Sequence, residues 1–334
     1  MDGGWWIVAG FPVLLSAVYG RVARLRRSWY ERRPQSRRAL DHTVISVGNL
    51  SVGGSGKTPV VAALARLLLD IGQRPAILSR GYGRPRALDG VVVASDGDRV
   101  LEPVERTGDE PQMLARALKG VPILVSPDRH VAGRLAERRF GCTVLLLDDG
   151  FQHLELGRDV DLLLVSCADL DDRVLPAGRL REPLDAARSA DCLLVPGAPD
   201  EVARVAGAFQ GMRVFRVVHR YGPLRPLDPQ TSLPTGHRRV AAAAGIARPQ
   251  RFFGALREQG FEVVREIVFP DHHWFTSADI DQVGRTARAA GAELIVTTEK
   301  DAARLSPLSG WAVLPMVAAI EPEGHFRSWL QDRL

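Results

Sequence analysis

Lys57 and Thr58, preceded by Ser51, Val52, Gly53, Gly54, Ser55 and Gly56, carry the strongest chemical signal in the chain. In a glycine-rich turn of this kind successive backbone N–H groups wrap a phosphate, the lysine reaches the β- and γ-phosphates, and the threonine hydroxyl can ligate Mg²⁺. Glycines let the backbone approach the anion with no Cβ in the way. Ser51 stands where a glycine usually opens such a loop, so Gly53 and Gly54 are expected to supply the flexibility. A turn that merely caps a helix is the bland alternative, and the flanks oppose it. The β-branched run Val44-Ile45-Ser46-Val47 precedes the loop, and Val60, Val61, Leu64, Leu67 and Leu68 follow it, giving strand, loop and helix in the order a P-loop requires.

A second group of carboxylates follows an apolar run. Thr143 to Leu147 ends in Asp148-Asp149-Gly150-Phe151-Gln152-His153, the arrangement in which a strand-end aspartate helps hold the Mg²⁺ that accompanies a nucleotide. Asp148 is the first choice, with Asp149 and His153 just beyond the same edge. Two adjacent buried carboxylates without a cation would repel one another and lose solvation. Arg80 and Tyr82, in SRGYGR after the strand at Pro75 to Leu78, are placed to face a ligand, although a surface turn explains the glycines equally well. Asp109, before Glu110-Pro111, reads locally as a helix N-cap. His272 and His273 in FPDHHWF lack companions at metal-ligand spacing, which leaves an acid–base or orienting role for one of them beside plain packing. Thr297 to Asp301 ends a strand with charges that either close over a cleft or solvate its edge.

The elements that must position these groups describe an α/β protein. Alternating strands and helical segments predict a P-loop NTPase domain with a mostly parallel, doubly wound sheet over 39–222. Proline-rich residues 223–238 form a linker, and a smaller C-terminal α/β domain fills 239–334. The 334 residues, 46% hydrophobic and 25% charged, suffice for two cores and exclude a disordered chain. Three cysteines without C-x-x-C spacing suggest buried thiols, with neither zinc nor a disulfide framework.

Residues 1–38 are of another kind. The apolar block at 5–19 is shorter than the roughly twenty residues needed to span a bilayer, and Pro12 interrupts it. Its basic cluster follows the apolar residues, the reverse of a cleaved leader. An interfacial anchor is expected, with Trp5, Trp6, Phe11, Leu14 and Leu15 among headgroups and the arginines from Arg21 to Arg38 facing anionic lipid. A helix packed on the protein's own core with a solvated arginine face is the alternative. No groove-reading motif accompanies the charge, so nucleic acid is not an expected partner.

In order along the chain, VGNLSVGGSGKTP, SRGYG, GDEPQM, DDGFQH, LPAGRLREP, AGIARPQRFF, FPDHH and TTEKDAARL resemble the tetraacyldisaccharide 4′-kinases, the lipid A 4′-kinase family. The resemblance implies transfer of the ATP γ-phosphoryl group to the 4′-hydroxyl of a tetraacyldisaccharide 1-phosphate, forming lipid IVA at the cytoplasmic face of the inner membrane. It implies ATP as co-substrate with Mg²⁺, an acylated disaccharide phosphate as partner, and no obligate protein partner. It makes Ser51 to Thr58 the nucleotide loop and assigns Thr58, Asp148 and Asp149 to the metal. Asp109 becomes the general base, with His272 orienting and tuning it, and Arg80, Tyr82, His153 and Glu182 become further active-site positions. A membrane-tethered nucleotide switch is the competing class, and its GTPase form would carry an N-K-x-D motif that the chain lacks. A soluble kinase for another acceptor is disfavoured by the tryptophan-led anchor.

Overall fold

The computed structural model describes residues 5–54, 56–81, 90–228, 230–233, 236, 238–305, 308 and 310–334, with side chains from Val13 onward. Helix α1 (Trp5–Arg32) leads into β1 (Thr43–Asn49), α2 (Lys57–Asp70), β2 (Pro75–Ser79) and β3 (Val92–Ser95). Next come α3 (Val104–Thr107), α4 (Asp109–Ala117), β4 (Ile123–Val125), α5 (Arg129–Phe140), β5 (Val144–Asp148) and β6 (Val160–Leu164). They are followed by β7 (Cys192–Pro196), α6 (Pro199–Ala208), β8 (Arg213–Tyr221), β9 (Arg225–Pro226), β10 (Arg239–Ala244) and α7 (Pro249–Glu258). The chain ends with β11 (Glu262–Val268), α8 (Ser277–Ala289), β12 (Leu294–Thr298), α9 (Glu299–Ala302), β13 (Trp311–Leu314), β14 (Met316–Glu321) and α10 (Glu323–Gln331).

Nine strands form the larger sheet in the order β14-β8-β7-β6-β1-β5-β2-β4-β3. Only the outermost pairings, β14 with β8 and β3 with β4, are antiparallel. Central strands covered on both faces read as near-continuous apolar runs, and Val44, Ile45 and Val47 of β1 are accordingly buried. Val60, Val61, Leu64 and Leu68 of α2 pack on one face with Leu114 of α4, while Ala132 and Ala136 of α5 pack on the other. Asp128 caps α5, its side chain accepting from Val131 N, and left-handed Gly141 closes that helix.

The smaller sheet runs β11-β10-β12-β13-β9, with α7 and α8 against it. Its boundaries differ from the sequence division in two places. Arg225 and Pro226, within the expected linker, pair with β13. At the far end β14 returns to the larger sheet, and Phe326, Trp329 and Leu330 of α10 join the core beside α2.

The N-terminal segment is a single helix that continues through Pro12. Leu14, Leu15, Val18, Val22, Leu25 and Trp29 are exposed along it. No described helix is long and apolar enough to cross a membrane. The expectation that the arginines as a group face lipid needs correction. Arg24 pairs with Asp185, Arg26 donates to Gln152 O, and Arg27 is buried against Glu182.

Candidate active site

Val47 of β1 lies opposite Asp148 of β5, so the P-loop and the paired aspartates open on one edge of the larger sheet. Gly56, left-handed at φ 79°, turns the chain into α2. A Cβ at this position would lie 2.6 Å from His219 Nε2 of β8, so both backbone angle and space select glycine. Lys57 Nζ donates to Asn49 Oδ1 at 2.8 Å and lies 3.3 Å from Asp149 Oδ1, while Arg181 Nη1 holds Asp149 Oδ2 at 2.7 Å. Burial pushes the Asp149 carboxyl up, but the charges of Lys57 and Arg181 outweigh it and leave it below the usual range.

Asp148 has the opposite fate. It is 2% exposed, its Oδ1 has no hydrogen-bond partner among the described residues, and burial together with Glu110 and Asp149 pushes its carboxyl up to about 7. A buried carboxylate oxygen left without a donor, beside a second carboxylate, is an arrangement that a divalent cation relieves. Asp148, Asp149 and the Thr58 hydroxyl suit Mg²⁺, which typically takes one or two carboxylates, water and the phosphates of its nucleotide. Among the described residues no cluster of three or more His, Cys, Asp or Glu side chains forms a cation site of its own.

Across the cleft stands a group drawn from both sheets. Asp109 is the first residue of α4, with Gly108 in the capping position, so the N-cap reading is not realised. It is 3% exposed, and its Oδ2 lies 2.9 Å from both His272 Nδ1 and Arg304 Nη1. Its Oδ1 accepts from Glu110 N at 2.9 Å. Lys300 Nζ sits 3.1 Å from His272 Nε2 and 3.9 Å from Asp109 Oδ2. Burial raises the Asp109 carboxyl, but the His272 hydrogen bond and the charges of Lys300 and Arg304 hold it below its ordinary value.

His272 is left-handed at φ 60°, an uncommon angle outside glycine. Its N donates to Gly245 O at 3.2 Å, which also accepts from Arg304 Nη2, while Gly245 N donates to Asp301 Oδ2 at 3.0 Å. Arg304 also pairs with Asp301, closing a buried network around Gly245. His273 turns away, stacking on Phe269 and lying 3.1 Å from Asp279. It fixes the loop that presents His272.

The two halves enclose a cleft of about 900 Å³, lined by Val52, Gly53, Gly54, Gly56, Lys57 and Thr58 on one side and by His272 and Lys300 on the other. Arg80, Asp148, Asp149 and Glu182 also line it. Ser51 does not: it is buried, bridged to Leu180, and its carbonyl accepts from Asn49 Nδ2 at 2.6 Å. His153 also lies off the wall, its ring pushed down to about 4 by burial and by Arg129, Arg158 and Arg38. Glu182 is taken by Arg27 of α1 through bonds of 2.7 and 2.8 Å, and Arg27 also covers the Phe151 ring. Ser55 and Tyr82 fall outside the described residues. Sequence reasoning gave Lys300, Asp301 and Arg304 no individual roles and left open whether the charges of Thr297 to Asp301 close over a cleft or solvate its edge. Their only signal was charge at a strand end, where the solvated-edge alternative fails because Asp301 and Arg304 are buried.

A P-loop lysine set against strand-end aspartates, with His272 of an Asp–His pair on the opposite wall of the cleft, fits a nucleotide-dependent phosphotransferase. Residues 10–334 match the family model described as Tetraacyldisaccharide-1-P 4′-kinase, and the chain belongs to that family. A tetraacyldisaccharide 4′-kinase from Pelobacter propionicus is 43% identical over 299 residues, covering 88% of this chain and 82% of its own. One from Geobacter metallireducens is 40% identical, covering 94% of both chains. The crystal structure of LpxK from Aquifex aeolicus in complex with ATP is 33% identical with a TM-score of 0.82, covering 97% of this chain and 99% of its own.

Proposed function

We propose that this chain, a lipid A pathway kinase by family, transfers the γ-phosphoryl group of ATP to the 4′-hydroxyl of a tetraacyldisaccharide 1-phosphate, forming lipid IVA. The observation that carries the residue roles is the reach of His272 from the smaller sheet to Asp109 on the larger one, across a cleft that also holds Lys57. The loop N–H groups from Gly53 to Lys57 cradle the phosphates, and Lys57 exchanges its bond with Asn49 for one with the β- and γ-oxygens. Thr58, Asp148 and Asp149 would hold Mg²⁺, which when bound would supply positive charge to the phosphates. The acceptor oxygen forms a bond to Pγ as the bond from Pγ to the β-bridging oxygen breaks, and the hydroxyl proton passes to Asp109. A carboxylate of low basicity suffices, because in a loose transition state the proton leaves late. Asp109 is only 3% exposed and bonded to His272 and Arg304, so the acceptor has to reach its carboxylate without displacing them.

Tyr19, Val22, Ala23 and Arg26 of α1 line the same cleft, so the exposed apolar side of α1 runs up to the reacting centre. An acceptor with four acyl chains leaves a bilayer at a cost of roughly 0.8 kcal/mol per CH₂, so the kinase works where the lipid lies. We infer that it works at the cytoplasmic face of the inner membrane, held through α1.

Incubation with γ-labelled ATP, Mg²⁺ and tetraacyldisaccharide 1-phosphate in mixed micelles tests the proposal. Label in the lipid is expected; ATP binding with no labelled lipid would overturn it. Leu14→Glu with Val18→Glu should lower binding to anionic phospholipid vesicles while leaving ATP binding intact, and unchanged vesicle binding would remove α1 from the anchoring role.

A further inference from the structure

The Asp–His pair admits two assignments of the proton acceptor, and Lys300 decides between them. An ammonium has donors only, so the 3.1 Å approach of Lys300 Nζ to His272 Nε2 requires a lone pair on Nε2. An ionised carboxylate accepts only, so the 2.9 Å approach of Nδ1 to Asp109 Oδ2 requires the hydrogen on Nδ1. The imidazole is thus spoken for at both nitrogens. Asp109 Oδ2 is filled as well, taking His272 and Arg304, whereas among the described residues Oδ1 accepts only from Glu110 N. Each carboxylate oxygen offers about two acceptor positions, which leaves one on Oδ1.

We propose that Lys300 is the positioning residue that assigns the base: by occupying His272 Nε2 it fixes the imidazole as an Nδ1–H donor and leaves Asp109 Oδ1 as the atom that takes the acceptor's proton. The inference rests on the kinase reading above and names the atoms within it. The groups facing this centre are Asp109 and Glu110 of α4, Asp271 beside His272, Lys300 and Asp301 of α9, and Arg304 beyond it. Lys300 Nζ lies 3.7 Å from both Glu110 Oε1 and Asp271 Oδ1, so two carboxylates hold the ammonium over the ring. During transfer the proton moves from the 4′-oxygen to Asp109 Oδ1 while both hydrogen bonds of His272 persist.

Nitrogen-15 imidazole spectra of the full-length protein, with the His272 signals identified by their loss in His272→Gln, test the tautomer without requiring turnover. The wild type is expected to carry its hydrogen on Nδ1, Lys300→Met to lose that preference, and Lys300→Arg to keep it. In the lipid kinase assay Lys300→Met should lose kcat by on the order of tenfold, less than the roughly 10²–10⁴-fold expected on losing the base itself, with KM for ATP little changed. His272→Gln, whose amide N–H can replace Nδ1–H, should retain far more turnover than His272→Ala. Hydrogen on Nε2 in the wild type, or equal losses in the Gln and Ala variants, would overturn the assignment. So would a Lys300→Met protein with the wild-type His272 spectrum and a raised KM for ATP, the mark of a simple phosphate-binding lysine. Absence of lipid phosphorylation by the wild type would instead refute the kinase reading, and the spectra would still judge the tautomer.

Discussion

At the scale of single residues the site is a set of balances between burial and charge. Asp148 and Asp149 are neighbours in sequence, yet one is pushed up to about 7 and the other held low, because Lys57 and Arg181 both point at Asp149. Burial raises the Asp109 carboxyl, and the His272 hydrogen bond with the charges of Lys300 and Arg304 more than offsets it. Since its folded value is depressed, the stability it contributes is fully present above its unfolded value near ~3.9 and is lost as pH falls through the lower folded value. Asp109→Asn should therefore flatten the fall in unfolding free energy below about pH 4. Urea titrations at stepped pH would show this, and an unchanged slope would mean that the cations do not hold Asp109 down. Gly56 is limited by backbone angle and by His219 at once. Gly56→Ala should cost at least about 1–2 kcal/mol for the left-handed angle and weaken ATP binding, with urea denaturation and nucleotide titration as the measurements. These residue-scale balances were only half visible in sequence. The P-loop and the aspartates announce themselves by spacing, whereas the pairing of Asp149 with Arg181 depends on where separate loops meet.

At the scale of elements, α1 is both an exposed apolar surface and a structural strut. Arg27 and Glu182, each with side chains 7% exposed, form a buried pair, whereas Arg24 and Asp185 are more than half exposed. Removing one partner of a buried pair strands the other charge, so Arg27→Met should destabilise by about 3–5 kcal/mol. Arg24→Met should cost about 0–1 kcal/mol. Equal effects in urea denaturation would contradict this distinction. Deleting the whole helix would remove Arg27 along with the apolar surface and confuse folding with anchoring, so point changes on the exposed side are the cleaner probe. The sequence showed the apolar block and the arginine run. It did not show that arginines on one helix divide between protein and solvent, because that depends on how α1 lies against the loop holding Glu182.

At the scale of the whole molecule, the last strand and helix stitch the smaller unit back to the larger. Phe326 is 1% exposed and packs edge-on against Phe215 of β8. Phe326→Ala should cost about 3–5 kcal/mol and lower the unfolding midpoint of the P-loop unit itself. If only the smaller unit loosened under limited proteolysis, the shared core would be refuted. The doubly wound sheet was legible because its central strands are continuous apolar runs, and its closure by β14 was not, since Met316 to Glu321 carries no signal telling which sheet it will join. The same return path helps hold the smaller sheet where His272, Lys300 and Arg304 can meet Asp109. The measurement that tests this account most directly is γ-phosphoryl transfer to tetraacyldisaccharide 1-phosphate by wild type, Asp109→Ala and His272→Ala, with ATP affinity measured in parallel. Loss of about 10²–10⁴-fold in kcat for Asp109→Ala, a clear loss for His272→Ala and retained ATP binding are the predicted results. Near-wild-type turnover in Asp109→Ala would contradict the account.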